Sequence, residues 1–373
     1  MTQTAADPSG RSFLAEARDA VTPRATLLVI GVLALQLLFI ASYVGALHDP
    51  KPKDVPFGVV APQQAAAEQT VERLDGLPGS PLDPRTVADE ASAQRQILDR
   101  KIDGALLVDP AGTADTLLVA TGGGAALATV LGRLVTTLEE EQGRTLRIVD
   151  VVPAADGDFN GLTSFYLVVG WCVGGYLCAS ILAISAGARP ANPRRALIRL
   201  AVMVAVAVVG GLGGALIVGP VLDALPGGVA ALWGLGALTI FAVGALTLAL
   251  QGLFGVIGIG LTILLVVIAG NPSAGGAFPA PMLPPFWQAI GPALPPGAGT
   301  WVARSIAYFD GNDTTTALLV LSAWAVGGVA VTLLAATWHR RRGEQGAGAG
   351  PAGAGPGSGA DTGPGRGAEP GPA

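Results

Sequence analysis

An apolar block from residue 163 to 269 constrains this chain more than any other feature. Its only charged residues are Arg189, Arg194, Arg195, Arg199 and Asp223, and each falls where the apolar run is interrupted. After Asp223 no charge appears until Arg304. A water-soluble fold cannot hide that much apolar chain, whereas about 20 apolar residues per helix is what a bilayer core requires. Interruptions at 187–199, at 223–228 and at Gln251 divide the block into spans 163–186, 200–222, 229–250 and 252–269. Two further apolar stretches, 25–47 and 315–338, bring the expected number to six.

The first stretch is preceded by a cytoplasmic segment, 1–24. There Phe13, Leu14, Ala17 and Val21 recur at helical spacing opposite Arg11, Arg18 and Arg24. That pattern fits an amphipathic helix on the membrane face, or an ordinary basic flank. Stretch 25–47 exceeds the roughly 7–15 apolar residues of a cleaved signal and reads as a signal anchor.

Residues 48–160 are of a different kind. They hold all three lysines, Lys51, Lys53 and Lys101. Strands are expected at 55–60, 104–109, 116–120 and 146–152, and helices at 63–74, 89–102 and 125–141. Alternation of the two makes this an α/β domain. The overall expectation is a polytopic α-helical membrane protein. Six transmembrane helices carry an extracytoplasmic α/β domain inserted between helices one and two.

Motifs for chemistry are sparse. Gly122-Gly-Gly124 precedes a helix but lacks the Lys-Ser/Thr of a phosphate loop, so it reads as a turn or helix start. The run Glu139-Glu-Glu141 reads as a solvated helix end. The inserted domain has no histidine, and Cys172 and Cys178, six residues apart on a helix, face different ways. His48 and His339 each end a span without metal-ligand partners. No enzymatic activity, cofactor, metal or nucleic-acid partner is expected. The spans are rich in glycine, with Gly170 and Gly174, Gly210 and Gly214, and Gly255, Gly258 and Gly260, which suits a tightly packed bundle.

Basic residues set the topology. Arg11, Arg18 and Arg24 precede span one, Arg189, Arg194, Arg195 and Arg199 follow span two, and Arg340, Arg341 and Arg342 follow span six. With six spans all three groups share one side, the cytoplasm of a bacterial cell, and both termini are there too. The tail, 343–373, is almost all Gly, Ala and Pro and is expected to be disordered.

The connection 271–314 is too rich in proline to span the bilayer as a helix. It is too apolar to stand in water. A re-entrant hairpin dipping into the outer face of the bundle is the remaining choice, its irregular backbone buried in protein. Trp287 and Trp301 would lie at headgroup level. The charge of Arg304 would be held by Asp310 or Asp313.

Asn271-Pro-Ser-Ala-Gly-Gly-Ala-Phe-Pro279, Leu283-Pro-Pro-Phe-Trp287, Leu294-Pro-Pro-Gly-Ala-Gly299 and Trp301-Val-Ala-Arg304 resemble the C-terminal part of ABC-2 type membrane proteins. Within that group they look most like the YhgE/Pip (phage-infection-protein) and DUF3533-like branch. Glu90-Ala-Ser-Ala, followed by Arg100-Lys-Ile-Asp-Gly-Ala-Leu-Leu-Val108, is similar to the same branch. The likeness runs from about residue 25 to 342. The inserted domain is shorter than in many relatives, and the chain has no ATPase motif.

The resemblance implies the permease subunit of an exporter for an amphipathic or hydrophobic molecule or an envelope component. It would work in the lipid bilayer as a homodimer with a separate ATPase. It places an outer gate at Phe278, Pro279, Trp287, Pro295, Trp301 and Arg304, with a structural plug as the alternative. The motor would meet the chain at Arg189, Arg194, Arg195 and Arg199. Resistance-nodulation-division pumps share the order of span, domain and five spans, but they need carboxylates inside a helix to relay protons. No span here has an acidic or basic residue. The other reading is a membrane-anchored surface protein whose outer domain binds a partner.

Overall fold

The computed structural model describes residues 22–188, 190 and 192–348. The segment 1–21, Arg189 and the tail beyond residue 348 lie outside those residues. The described residues open with helix α1 (Pro23–Leu47), started by Thr22, whose side chain accepts the Ala25 N–H, and by Pro23 in the first turn. It enters a domain of β1 (Val55–Val60), α2 (Gln64–Asp75), β2 (Leu82–Thr86), α3 (Glu90–Leu98), β3 (Gly104–Leu107), β4 (Ala114–Val119), α4 (Ala125–Glu141) and β5 (Thr145–Asp150). The membrane portion follows as α5 (Thr163–Ala186), α6 (Pro193–Leu216), α7 (Val229–Phe254), α8 (Ile257–Thr262), α9 (Pro285–Ile290), α10 (Pro295–Tyr308) and α11 (Thr315–Gly348).

The sheet order is β2-β1-β3-β4-β5. Only the β3–β4 pair is antiparallel. Strand β2 has the sequence Leu-Asp-Pro-Arg-Thr and gives no apolar alternation, so the sequence reading misses it. Pro84 is tolerated because β2 is an edge strand. One face of the sheet buries Phe57, Leu106 and Leu117 against α2 and α4, and the other buries Ala105 and Leu118 against α3. Each face also takes a side chain from the membrane portion: Met282 enters the first core and Phe309 the second.

Among the described residues five helices are long and apolar enough to cross a membrane: Ala25–Leu47, Thr163–Ala186, Pro193–Val221, Val229–Phe254 and Thr315–Arg341. The expected fifth span, 252–269, takes a different form. Gln251 is not a turn but is buried within α7, and the chain reverses at Gly255, where φ is 64° and ψ −137°. Only glycine adopts that conformation readily. Apolar helix then resumes over Ile257–Gly270. At ~1.5 Å per residue it reaches about 21 Å, short of a ~30 Å hydrocarbon core.

Three other expectations shift. Helix α6 starts at Pro193, because the Asn192 side chain caps it by accepting the Arg195 N–H and proline suits the first turn. Arg194, Arg195 and Arg199 therefore sit on the helix rather than in a loop. Helix α11 continues through Gly348, so 343–348 are helical rather than disordered. Of the paired glycines, Gly170 and Gly174 face open space. Gly210, Gly214 and Gly258 are closely packed as expected, and Gly175, Gly211 and Gly236 join them. A Cβ on Gly175 would stand 2.7 Å from the Ile240 carbonyl oxygen, and one on Gly211 2.6 Å from the Ala237 nitrogen.

Helix α1 lies parallel to the short helix 257–270: Leu35 packs by Gly260, and the Ser42 hydroxyl donates to the Ile268 carbonyl. The described ends of α1 and α11 thus both lie on the side away from the inserted domain.

Candidate functional site

The hairpin between Gly270 and Thr315 is held at two depths by indole N–H groups. Trp301 donates to the Asp313 carbonyl at 2.8 Å, at the domain end of α11. Trp324 donates to the Ala293 carbonyl at 2.8 Å. Trp324 lies about 14 Å further along α11 at ~1.5 Å per residue, so the turn before α10 sits that much deeper than Trp301. Proline permits this course. Pro279, Pro284 and Leu294 take extended backbone, and Pro285 and Pro295 each open a helix where no N–H partner is needed.

Helix α10 climbs back toward the domain and delivers Arg304 to the boundary. Its guanidinium is buried and donates to the carbonyls of Gly275 at 2.6 Å, Gly276 at 2.8 Å and Gly161 at 3.1 Å. Asp310 and Asp313, the expected partners, make no ion pair with it among the described residues. Both have positive φ in the turn after α10, and that turn is tied to the helix by its backbone, the Asp313 carbonyl accepting from Trp301. The negative charge that acts on it is Asp158, whose Oδ2 accepts the Tyr308 hydroxyl at 2.5 Å while Oδ1 accepts the Thr163 N–H that begins α5. Burial draws the Arg304 pKa down to about 10, with Asp158 opposing. Burial holds Tyr308 well above the usual phenol range.

The domain answers with Arg100. Helix α3 was expected to run to residue 102, but it stops at Leu98, and Arg100 has φ of 57°. That turn lays the guanidinium 3.2 Å from the Trp301 ring centroid and 4.8 Å from that of Phe309. Its Nη1 donates to the Trp301 carbonyl at 2.9 Å and to Ser305 Oγ at 2.7 Å. Burial, reinforced by the charge of Arg304, draws its pKa down to about 9. Asp103, just before β3, is pushed up to about 6 by burial, with Arg100 opposing.

Between domain, hairpin and the start of α11 lies a cavity of about 470 Å³. Arg100, Asp103 and Asp54 line it from the domain, Trp301 and Arg304 from α10, and Asp313 from the turn before α11. Its other walls are chiefly small or apolar, among them Pro292, Ala298 and Ala317. Of the residues expected at an outer gate, Pro279, Trp301 and Arg304 border this space. Phe278 packs against the domain core, Pro295 is buried at the start of α10, and Trp287 stacks edge-on with Phe286. The sequence reading did not assign a role to Arg100 or Asp103, although both lie in the quoted segment 100–108.

The residues expected to meet a motor divide as well. Arg194 and Arg195 are exposed on the first turn of α6. Arg199 is buried and donates to the carbonyls of Ala186 at 3.0 Å and Gly187 at 2.7 Å, closing the end of α5. Arg189 lies outside the described residues.

These features define a class: a polytopic α-helical membrane protein with a soluble α/β domain inserted after its first helix. Compared with known proteins, the chain matches no family model, no curated protein and no solved structure.

Proposed function

We propose that this chain is the permease subunit of an ABC-2 type exporter, in the YhgE/Pip and DUF3533-like branch, moving an amphipathic molecule outward with a separate ATPase. The observation that carries this reading is the cavity under the inserted domain. It joins charged groups where domain and hairpin meet to small and apolar walls further along the hairpin, as a ligand with a polar head and an apolar body requires. In this reading the short helix 257–270 and its irregular continuation complete a sixth crossing. The domain is extracytoplasmic, and the exposed Arg194 and Arg195 face the motor of a homodimer on the cytoplasmic side. Trp301 and Arg304 belong to the outer gate.

Inside-out vesicles from cells expressing the chain with its ATPase test this directly. ATP should drive uptake of a fluorescent amphiphile, and Trp301→Ala should abolish it while the protein still inserts. Transport by the purified chain alone under a pH gradient would overturn the reading.

A membrane-anchored receptor is the second reading. It is favoured by the outer edge of β5, where Ile148 is half exposed on an unpaired strand. Unchanged export in Trp301→Ala, together with loss of partner binding on altering β5, would select it.

A further inference from the structure

Arg100 and Asp103 stand on one wall of the cavity with opposite charges, yet they do not neutralise each other. Among the described residues neither forms an ion pair, although only three positions separate them. The left-handed turn at Arg100 sends its guanidinium onto Trp301 instead. Nη1 is engaged there, while Nε and Nη2 make no hydrogen bond among the described residues. The Asp103 backbone N–H is fixed on the Pro56 carbonyl at 2.8 Å, and its carboxylate accepts no hydrogen bond among the described residues. Both residues are half-buried; an unpaired charge partly withdrawn from water is costly, and a ligand of opposite charge that covers it offsets that cost.

The surrounding charges restrict which ligand can do so. A simple anion meets Asp54, Asp103 and Asp313 in the same space, and a simple cation meets Arg100 and Arg304. An uncharged apolar molecule would cover Arg100 and Asp103 without pairing either. A head bearing both signs satisfies the two unpaired groups together. Guanidinium is the side chain best shaped for a phosphate, through parallel N–H donors. Pro292, Ala298 and Ala317 then offer an apolar bed on the membrane side.

Resting on the exporter reading for its setting, we infer that the cavity selects a zwitterionic amphiphile, its phosphate on Arg100, its ammonium on Asp103 and its acyl chain along the hairpin. A recess of about 20 Å³ beside both residues has room for one water to complete the contact.

Four probes test this on the full-length protein in a non-ionic detergent, by native mass spectrometry. They are dioctanoyl phosphatidylethanolamine, dioctanoyl phosphatidylglycerol, dodecyltrimethylammonium and free phosphoethanolamine. The first should bind roughly tenfold tighter than either of the next two. Free phosphoethanolamine should bind weakest, which separates a lipid from a soluble zwitterion. Asp103→Asn should erase the preference over phosphatidylglycerol, and Arg100→Gln the preference over the alkylammonium. The wild-type ranking is decisive without either variant. Equal affinities, or a preference that survives Asp103→Asn, would overturn the inference, as would free phosphoethanolamine binding as tightly as the lipid. Equal affinities with ATP-driven export intact would sink head selection and spare the exporter. Selective binding without export would do the reverse.

Discussion

The inserted domain and the membrane bundle both pack densely, by opposite means. The domain fills its two cores with large side chains, among them Phe57, Leu106, Leu117 and Leu131. Water drives that burial, at about 25 cal/mol per Å² of apolar surface. The bundle brings helices together where side chains are missing, at Gly175, Gly211, Gly236 and Gly328. Lipid tails are as apolar as leucine, so helices in a bilayer gain by close approach rather than by escaping solvent. The domain is therefore sensitive to lost volume and the bundle to added volume.

The largest expected effect is on the bundle. Gly211→Leu would drive a side chain into the α7 backbone and should leave no monodisperse protein on gel filtration in detergent. Gly213 faces open space, and Gly213→Leu should elute like the wild type. Identical profiles for the two variants would break the contrast.

Next comes Leu131→Ala, expected to cost the domain about 2–5 kcal/mol. Hydrogen exchange should rise across 55–150 and stay unchanged in α6 and α7. Arg304→Ala removes three charge-assisted hydrogen bonds, each worth about 1.5–3 kcal/mol. Exchange should rise over 271–279 and 159–161 while both cores hold. Arg304→Lys should restore only part, because one ammonium cannot replace a planar fork.

The smallest effect concerns pH. Glu139 was expected in a solvated helix end, yet it is buried beside Asp115 and Arg144. Burial, with Asp115 adding to it, pushes its pKa up to about 7 from 4.5. A carboxyl raised in the folded state stabilises fully below its unfolded value, and that contribution is lost as pH rises through about 7. Asp115 is held below its ordinary 3.8 by Arg144 and the Asp109 N–H, against the effect of burial. Its contribution is already in place throughout this window. Domain stability should fall between pH 5 and pH 8, and Glu139→Gln should flatten the slope. An equal slope in the variant would remove Glu139 from the account.

Much of this architecture was legible because apolar runs and alternation report directly on surroundings. The five long helices and four of the five strands follow from such patterns. What escaped depends on single backbone angles or on partners far along the chain. Arg100 looks like the last turn of a helix until its left-handed conformation is seen. Gly255 is one glycine among many, and only its φ distinguishes it. Arg304 seemed to call for a nearby carboxylate, yet three carbonyls from two separate segments hold it. No local pattern announces a cavity assembled from residues 54 to 317.

Met282 and Phe309, seated in opposite faces of the sheet, also bear on how the protein is made. The ribosome completes β5 long before it reaches either residue. At ~5–20 residues per second, the interval from Asp150 to Phe309 is roughly 10–30 s. Throughout it the domain has a gap in each core. The gaps close only after α5, α6, α7 and the short helix have been threaded and the hairpin has turned back. Completion of the domain thus reports, on the far side of the membrane, that insertion of the bundle has succeeded.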